Sequence, residues 1–320
     1  ATDDKIDLFL VEADYALKYV DTEFTMPVKD LGITDADLEN QYQYTKDIVT
    51  DSNGVLKGVS WQGCPGVMFY SREVAKDVFG TDDPAEIQQY VKDWDTFNET
   101  AKTLKDKGYY VASSANDTYR VYSNNVTSKW VVDGKINIDE NIMKWVEDSK
   151  ALVDAGQIGT HDLWSDDWSR GFYPDGKVFS YFGPAWLVNF SMAADKEGSI
   201  GNLGGWAATE GPQGFFWGGT WLMASNSSAN KEAVGEIIRW ITLDCSETGL
   251  QYMWANGTLN GEGGTKDCVA SGTVMEMSDG SLDFLGGQNM FDAFVPANQY
   301  ANGKCLTQYD ETINTKWRDQ

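Results

Sequence analysis

Residues Phe215–Ser225 read FFWGGTWLMAS. Taken as one strand, they put Trp217, Gly219 and Trp221 on a single face, with the two indoles ~13 Å apart. Interior glycine is entropically costly in a strand and packs nothing, so its place between two of the largest side chains implies close approach of a ligand or another backbone. The run closes on Leu222-Met223-Ala224, and a helical pattern follows in SSANKEAVGEIIRWITL, with Ser227 or Ser228 as the expected cap. A strand leading into a helix is the unit that decides the fold class.

The same unit recurs on both sides. In KIDLFLVEADYALKYV, the apolar run Ile6 to Val11 precedes a stripe of Ala13, Ala16, Leu17 and Val20. Glu12 and Asp14 stand at that junction, at the carboxyl end of a strand, where open α/β sheets bind ligands. PGVMFYSREVAKDVFG runs from strand into helix and stops at Gly80; Asp83-Pro84 opens another helix, and Asp95 is the expected cap of DTFNETAKTLKDKG, which closes at Gly108. YYVASS, the amphipathic NIMKWVEDSKALVDAG, and a strand Val178 to Phe182 followed by Gly183-Pro184 and a helix continue the series. Asn53-Gly54 marks a hairpin. Its neighbours Asp51 and Asn53 lack the glycine-to-glutamate continuation of a calcium loop, so no metal is expected there. The alternation predicts an α/β protein with largely parallel sheets. A length of 320 residues suits about two domains. No linker is visible, which points to two lobes sharing the chain through several crossovers.

Charge narrows the partners. Lys and Arg number 25 against 49 Asp and Glu, for a formal net charge of −24. That field repels nucleic acid and anionic membrane surfaces, and no basic run offsets it. No apolar run is long enough to span a bilayer, and no signal-peptide pattern is present, so a mature or trimmed form, or a protein that never had a signal, is expected. Cys64, Cys245, Cys268 and Cys305 form no CxxC pair, which disfavours zinc and leaves buried thiols and one or two disulfides both open.

No catalytic constellation emerges. GTLNGEGGTKD does not meet the order of a phosphate loop, and no GxGxxG or GxSxG is placed to act. His161 is the only histidine, which restricts Ser-His or Cys-His chemistry to one loop residue, and the SxxK at Ser228–Lys231 doubles as a helix start. The carboxylate pairs Glu12/Asp14 and Asp166/Asp167 could serve glycoside hydrolysis, which makes a carbohydrate-active hydrolase the alternative reading. A binder of a non-sugar cation such as a polyamine, or of a peptide, is a further one.

Aromatic residues give a more specific signal. Trp61, Tyr119, Trp164, Trp168, Trp186 and Trp217 fall at expected strand ends and loops, beside Gly, Pro, Asp, Asn or Gln. Flat apolar faces next to carboxylates and amides suit a sugar, whose ring stacks while its hydroxyls hydrogen-bond. Several such platforms point to an oligosaccharide.

In order along the chain come DLFLVEADY, GVSWQGCPGVMFYSREVA, DWDTFNETAKTLKDKGY, VFSYFGPAW, WGGTWLMAS before a helix, DFLGGQN and YDETIN. This ordered set resembles the extracellular solute-binding proteins of carbohydrate ABC transporters, the family 1 group that includes the maltose-binding proteins, and especially its Gram-positive versions. The resemblance implies a type II clamshell of two α/β lobes, each a mostly parallel sheet flanked by helices, that closes over its ligand. One lobe is expected from 1–62 plus 220–260 and the other from 66–216 plus 264–320, with crossovers near 62–66, 216–220 and 260–264. It further implies no enzymatic activity, no cofactor, a monomer that hands sugar to the permease subunits of an ABC importer, and a cell-surface lipoprotein or periplasmic location. Carried over by position, the ligand contacts are Glu12, Asp14, Trp61, Gln62, Asp117, Tyr119, Arg120, Trp186, Trp217 and Gln288. Trp217 becomes the platform and Trp221 core, with Gly218-Gly219 giving room and hinge slack. The family's usual first and last segments are expected to lie outside this sequence, which starts at what reads as a later strand and stops at YDETINTKWRDQ.

Overall fold

The computed structural model describes residues 5–261 and 263–318. Its strands are β1 (Leu8–Glu12), β2 (Val59–Ser60), β3 (Pro65–Ser71), β4 (Tyr110–Ala112), β5 (Val131–Val132), β6 (Lys135–Ile136), β7 (Val178–Gly183), β8 (Trp206–Thr209), β9 (Phe215–Phe216) and β10 (Thr220–Ala224). The fold is α/β, as the alternation of elements predicts. The chain forms two compact units. Unit 1 comprises 5–64, Gly218–Asp279 and 302–318 of the described residues; unit 2 comprises Pro65–Trp217 and Gly280–Ala301. The expected third crossover near 260–264 is therefore displaced to 279/280, and a fourth appears at 301/302. The reason is the packing of 280–301: its helix Phe291–Asn298 buries Phe291 and Phe294, and Phe294 lies 6.1 Å from Phe69 of β3.

Strand direction departs from the largely parallel expectation. In unit 1 the order is β1-β10-β2, with both pairings antiparallel. In unit 2 the order is β4-β7-β3-β8, with β9 also on β3, and only β4 with β7 is parallel. The cause is one reversed strand per sheet. β4, β7, β8 and β9 all point one way and β3 the other; β1 and β2 point one way and β10 the other. β3 and β10 are the strands on which the chain enters each unit, and an alternating helix–strand pattern carries no information about the direction of entry. β5 and β6 form a small separate hairpin turned by Asp133 and Gly134, both at positive φ.

Each sheet is covered by amphipathic helices. In unit 2, helix Trp94–Asp106 starts on Asp93, whose carboxylate accepts from the Thr96 amide at 2.7 Å, so the cap lies two residues before the expected Asp95. The helix buries Phe97, Thr100, Ala101 and Leu104, and Phe97 joins Tyr70, Phe179 and Phe182 in a fully enclosed core. Each such ring contributes about 1.5–3 kcal/mol by leaving water. In unit 1, helix Lys231–Thr242 buries Val234 and Ile238 against Val59, Leu222 and Ala224. Its N-cap is Asn230 rather than Ser227 or Ser228; the Ser228 hydroxyl instead donates to Asp7 at 2.6 Å and accepts from the Asn230 amide.

The opening stretch is not one strand. β9 ends at Phe216 in unit 2, β10 begins at Thr220 in unit 1, and Gly218 and Gly219 between them have φ of +83° and +117°. Trp221 is fully buried, with its indole N–H on the Thr45 carbonyl at 2.8 Å.

Candidate functional site

Unit 2 gathers four of its tryptophans, Trp164, Trp168, Trp186 and Trp217, in one place. In THDLWSDDW, Ser165 caps the short helix Asp166–Ser169 by accepting from the Trp168 amide at 3.1 Å. This turns Trp168 inward, where it is 3% exposed, and leaves Trp164 outside the helix at φ +71° and 50% exposed. A bulky residue in that left-handed region is strained and persists only where surrounding contacts hold it. Trp164 meets Trp168 edge to face at 5.1 Å.

Two more indoles complete the group. Trp186 lies on helix Ala185–Phe190, started by Gly183-Pro184, and its N–H donates to the Trp217 carbonyl at 3.0 Å. The ring of Trp186 is 5.3 Å from that of Trp217 and 6.4 Å from that of Trp164, and Trp164 is 5.7 Å from Trp217. These are direct-contact separations, so the rings form one joined apolar face rather than a row of separate platforms. The Arg120 guanidinium carbon lies 5.5 Å from the Trp217 ring centre, a cation–π contact that puts a fixed donor group beside the face.

Three expected contacts have other partners. Asp117 is 4% exposed, and its oxygens accept from the Trp168 indole N–H and the Ser114 amide, each at 2.8 Å. Burial outweighs those bonds and pushes its carboxyl up to about 7. Tyr119 is buried edge-on to Trp145 at 4.8 Å. The Gln288 amide accepts from Ala208 N–H at 2.9 Å and donates to Ala208 C=O at 2.8 Å, finishing the β8 edge as a further strand would. Asp117, Tyr119 and Gln288 are thus each engaged by the protein's own groups.

Unit 1 holds the remaining candidates. Glu12, the last residue of β1, caps helix Ala13–Val20 by accepting from the Asp14 amide at 2.7 Å, so both residues sit at the strand-to-helix junction. Both are partly exposed. Trp61 packs its ring on the unit 1 core and accepts the Ala270 amide with its carbonyl. The Gln62 side chain donates to Asp267 at 3.2 Å. Asp267, which the sequence reading passed over inside GTKDCV, is 1% exposed, also accepts from the Cys268 amide at 2.7 Å, and is pushed up to about 7 by burial. No sequence signal distinguishes it from the chain's many surface carboxylates. Trp164 and Trp168 had such a signal, since serine between tryptophans four apart is a cap pattern.

No disulfide joins the four cysteines; Cys64 and Cys268 are buried, and both are held well above the usual thiol range by desolvation, with Asp267 a further cause. Among the described residues no group of His, Cys, Asp and Glu is arranged to hold a metal ion, and no helix is long and apolar enough to cross a membrane. The aromatic face with its flanking arginine suits reversible stacking of a ligand carrying hydroxyl or other acceptor groups.

Comparison with known proteins agrees with this architecture. No curated protein is significantly similar. Among solved structures, an extracellular solute-binding protein of family 1 superposes with a TM-score of 0.83 at 19% identity, covering 99% of this chain and 80% of its own. The sugar-binding protein MalE from Xanthomonas citri gives 0.73 at 16%, with 98% and 76% covered. The ABC transporter associated binding protein from B. animalis subsp. lactis, solved with β-1,6-galactobiose, gives 0.66 at 20%, with 98% and 78% covered. Residues 1–274 match the family model described as bacterial extracellular solute-binding protein. The chain therefore belongs to the bacterial extracellular solute-binding proteins.

Proposed function

We propose that the protein binds a sugar, specifically an oligosaccharide, outside the cytoplasm and delivers it to an ABC importer, without chemical change to the ligand. The observation that carries the reading is the joined face of Trp164, Trp186 and Trp217 with Arg120 beside it. Such a surface stacks the apolar face of a pyranose while a guanidinium donates to ring hydroxyls. Glu12, Asp14, Trp61, Gln62, Arg120, Trp186 and Trp217 are the proposed ligand contacts, with Trp164 in contact with the last two. Neighbouring structures whose names carry β-1,6-galactobiose and lacto-N-biose support the ligand class. The extracellular family supports a cell-surface lipoprotein or periplasmic setting.

Titration of the purified protein with neutral mono- and oligosaccharides, followed by tryptophan fluorescence, tests this. A saturable change with an oligosaccharide, and recovery of that sugar intact by mass spectrometry, is expected. A response only to peptides or polyamines, or release of shortened sugar, would replace the proposal with the non-sugar binder or the hydrolase.

A further inference from the structure

Asp117 sits where a carboxylate is expensive. Nearly all its surface is buried, and an isolated charge there loses its hydration. Its two oxygens take two N–H donors that converge from different segments, the Trp168 indole and the Ser114 amide. An amide side chain offers one acceptor and would set its own N–H against one of those donors. The Trp168 backbone is held as firmly: its carbonyl accepts from the Tyr181 hydroxyl at 2.7 Å and the Ser113 hydroxyl at 3.1 Å. Trp168 is thus fixed by ring and backbone together, and Trp164, strained at φ +71°, rests edge-on against it.

We propose that Asp117 is a positioning residue for the aromatic face: it does not touch the ligand but, through Trp168, fixes the half-exposed Trp164 ring in the setting that joins it to Trp186 and Trp217. The geometry explains a buried carboxylate at this point, which a purely apolar core position would not require. Its consequence is an orientation effect transmitted over one indole. The affinity arm of the test rests on the sugar-binding reading; the spectroscopic arm does not.

The experiment uses fluorotryptophan-labelled protein and fluorine NMR, with the Trp164 signal assigned by its loss in Trp164→Gly. Asp117→Asn, which leaves one acceptor for two N–H donors, and Trp168→Phe, which removes the indole donor, are both expected to move or broaden the Trp164 signal while that of Trp240, half-exposed in unit 1, stays in place. For the sugar that binds wild type, Asp117→Asn is expected to weaken affinity about tenfold, and to have no further effect in a Trp164→Gly background, the non-additivity of residues acting as a unit. An unmoved Trp164 signal in both variants would overturn the proposal, as would equal losses of affinity with and without Trp164. If wild type binds no sugar, the sugar-binding reading fails while the fluorine signals still decide the role of Asp117.

Discussion

The indole N–H of Trp186 donates to the main-chain carbonyl of Trp217 at 3.0 Å, so one residue of the proposed platform is tied by hydrogen bond to the backbone of the other. Trp186→Phe keeps a ring but removes the donor. We expect a loss of about 1 kcal/mol in stability, the usual net value of one hydrogen bond, and weaker ligand binding because the two faces are no longer fixed to each other. Chemical denaturation beside ligand titration checks this. Unchanged affinity would show that the bond does not align the face.

Trp164 separates platform from core. Trp164→Gly removes the exposed indole and fits the left-handed backbone, which costs a non-glycine residue about 1 kcal/mol or more. The melting temperature is expected to hold or rise while sugar affinity falls by about 2 kcal/mol, the value of one well-stacked aromatic side chain. A fall in melting temperature with affinity intact would assign Trp164 to the core.

Gly219 answers the question that FFWGGTWLMAS poses. A Cβ there would lie 3.0 Å from Cη2 of Trp221, and φ of +117° is itself closed to most side chains. The glycine serves the close approach of the Trp221 ring. Gly219→Val is therefore expected to cost about 1–3 kcal/mol of stability, read as a lower denaturation midpoint. An unaltered midpoint would show that the Trp221 ring does not need that space.

Those cases show what the sequence could convey. Strand and helix positions were legible because period and caps are local: Asp83 does accept from the Ala85 and Glu86 amides, and Gly80 and Gly108 do end their helices at positive φ. The directions of β3 and β10 were not, since they depend on where the chain enters each unit. Indole positions were legible as a set. The bonds of Asp117 to Trp168 and of Gln288 to Ala208 were not, because hydrogen bonds across 51 and 80 residues leave no local pattern.

Stability should depend on pH through the two buried carboxyls. Asp117 and Asp267, each raised to about 7, keep a proton in the native state that the unfolded chain releases above about 4. The native state thus binds more protons between those values, so their contribution grows as pH falls from above 7 toward 4 and is flat below. Asp37, held at about 2 by Arg239 and Thr34, has the opposite slope, confined below pH 4. Urea midpoints of wild type and Asp267→Asn, measured from about pH 8 to about pH 5, are expected to shift in favour of wild type toward acid. A constant difference would show that Asp267 ionises normally.

The account stands most directly on calorimetric titration of the purified wild-type chain and of Trp164→Gly with a panel of neutral mono- and oligosaccharides. It predicts saturable heat with an oligosaccharide for wild type, strongly reduced in the variant; no heat with any sugar, or equal heat for both proteins, would contradict it.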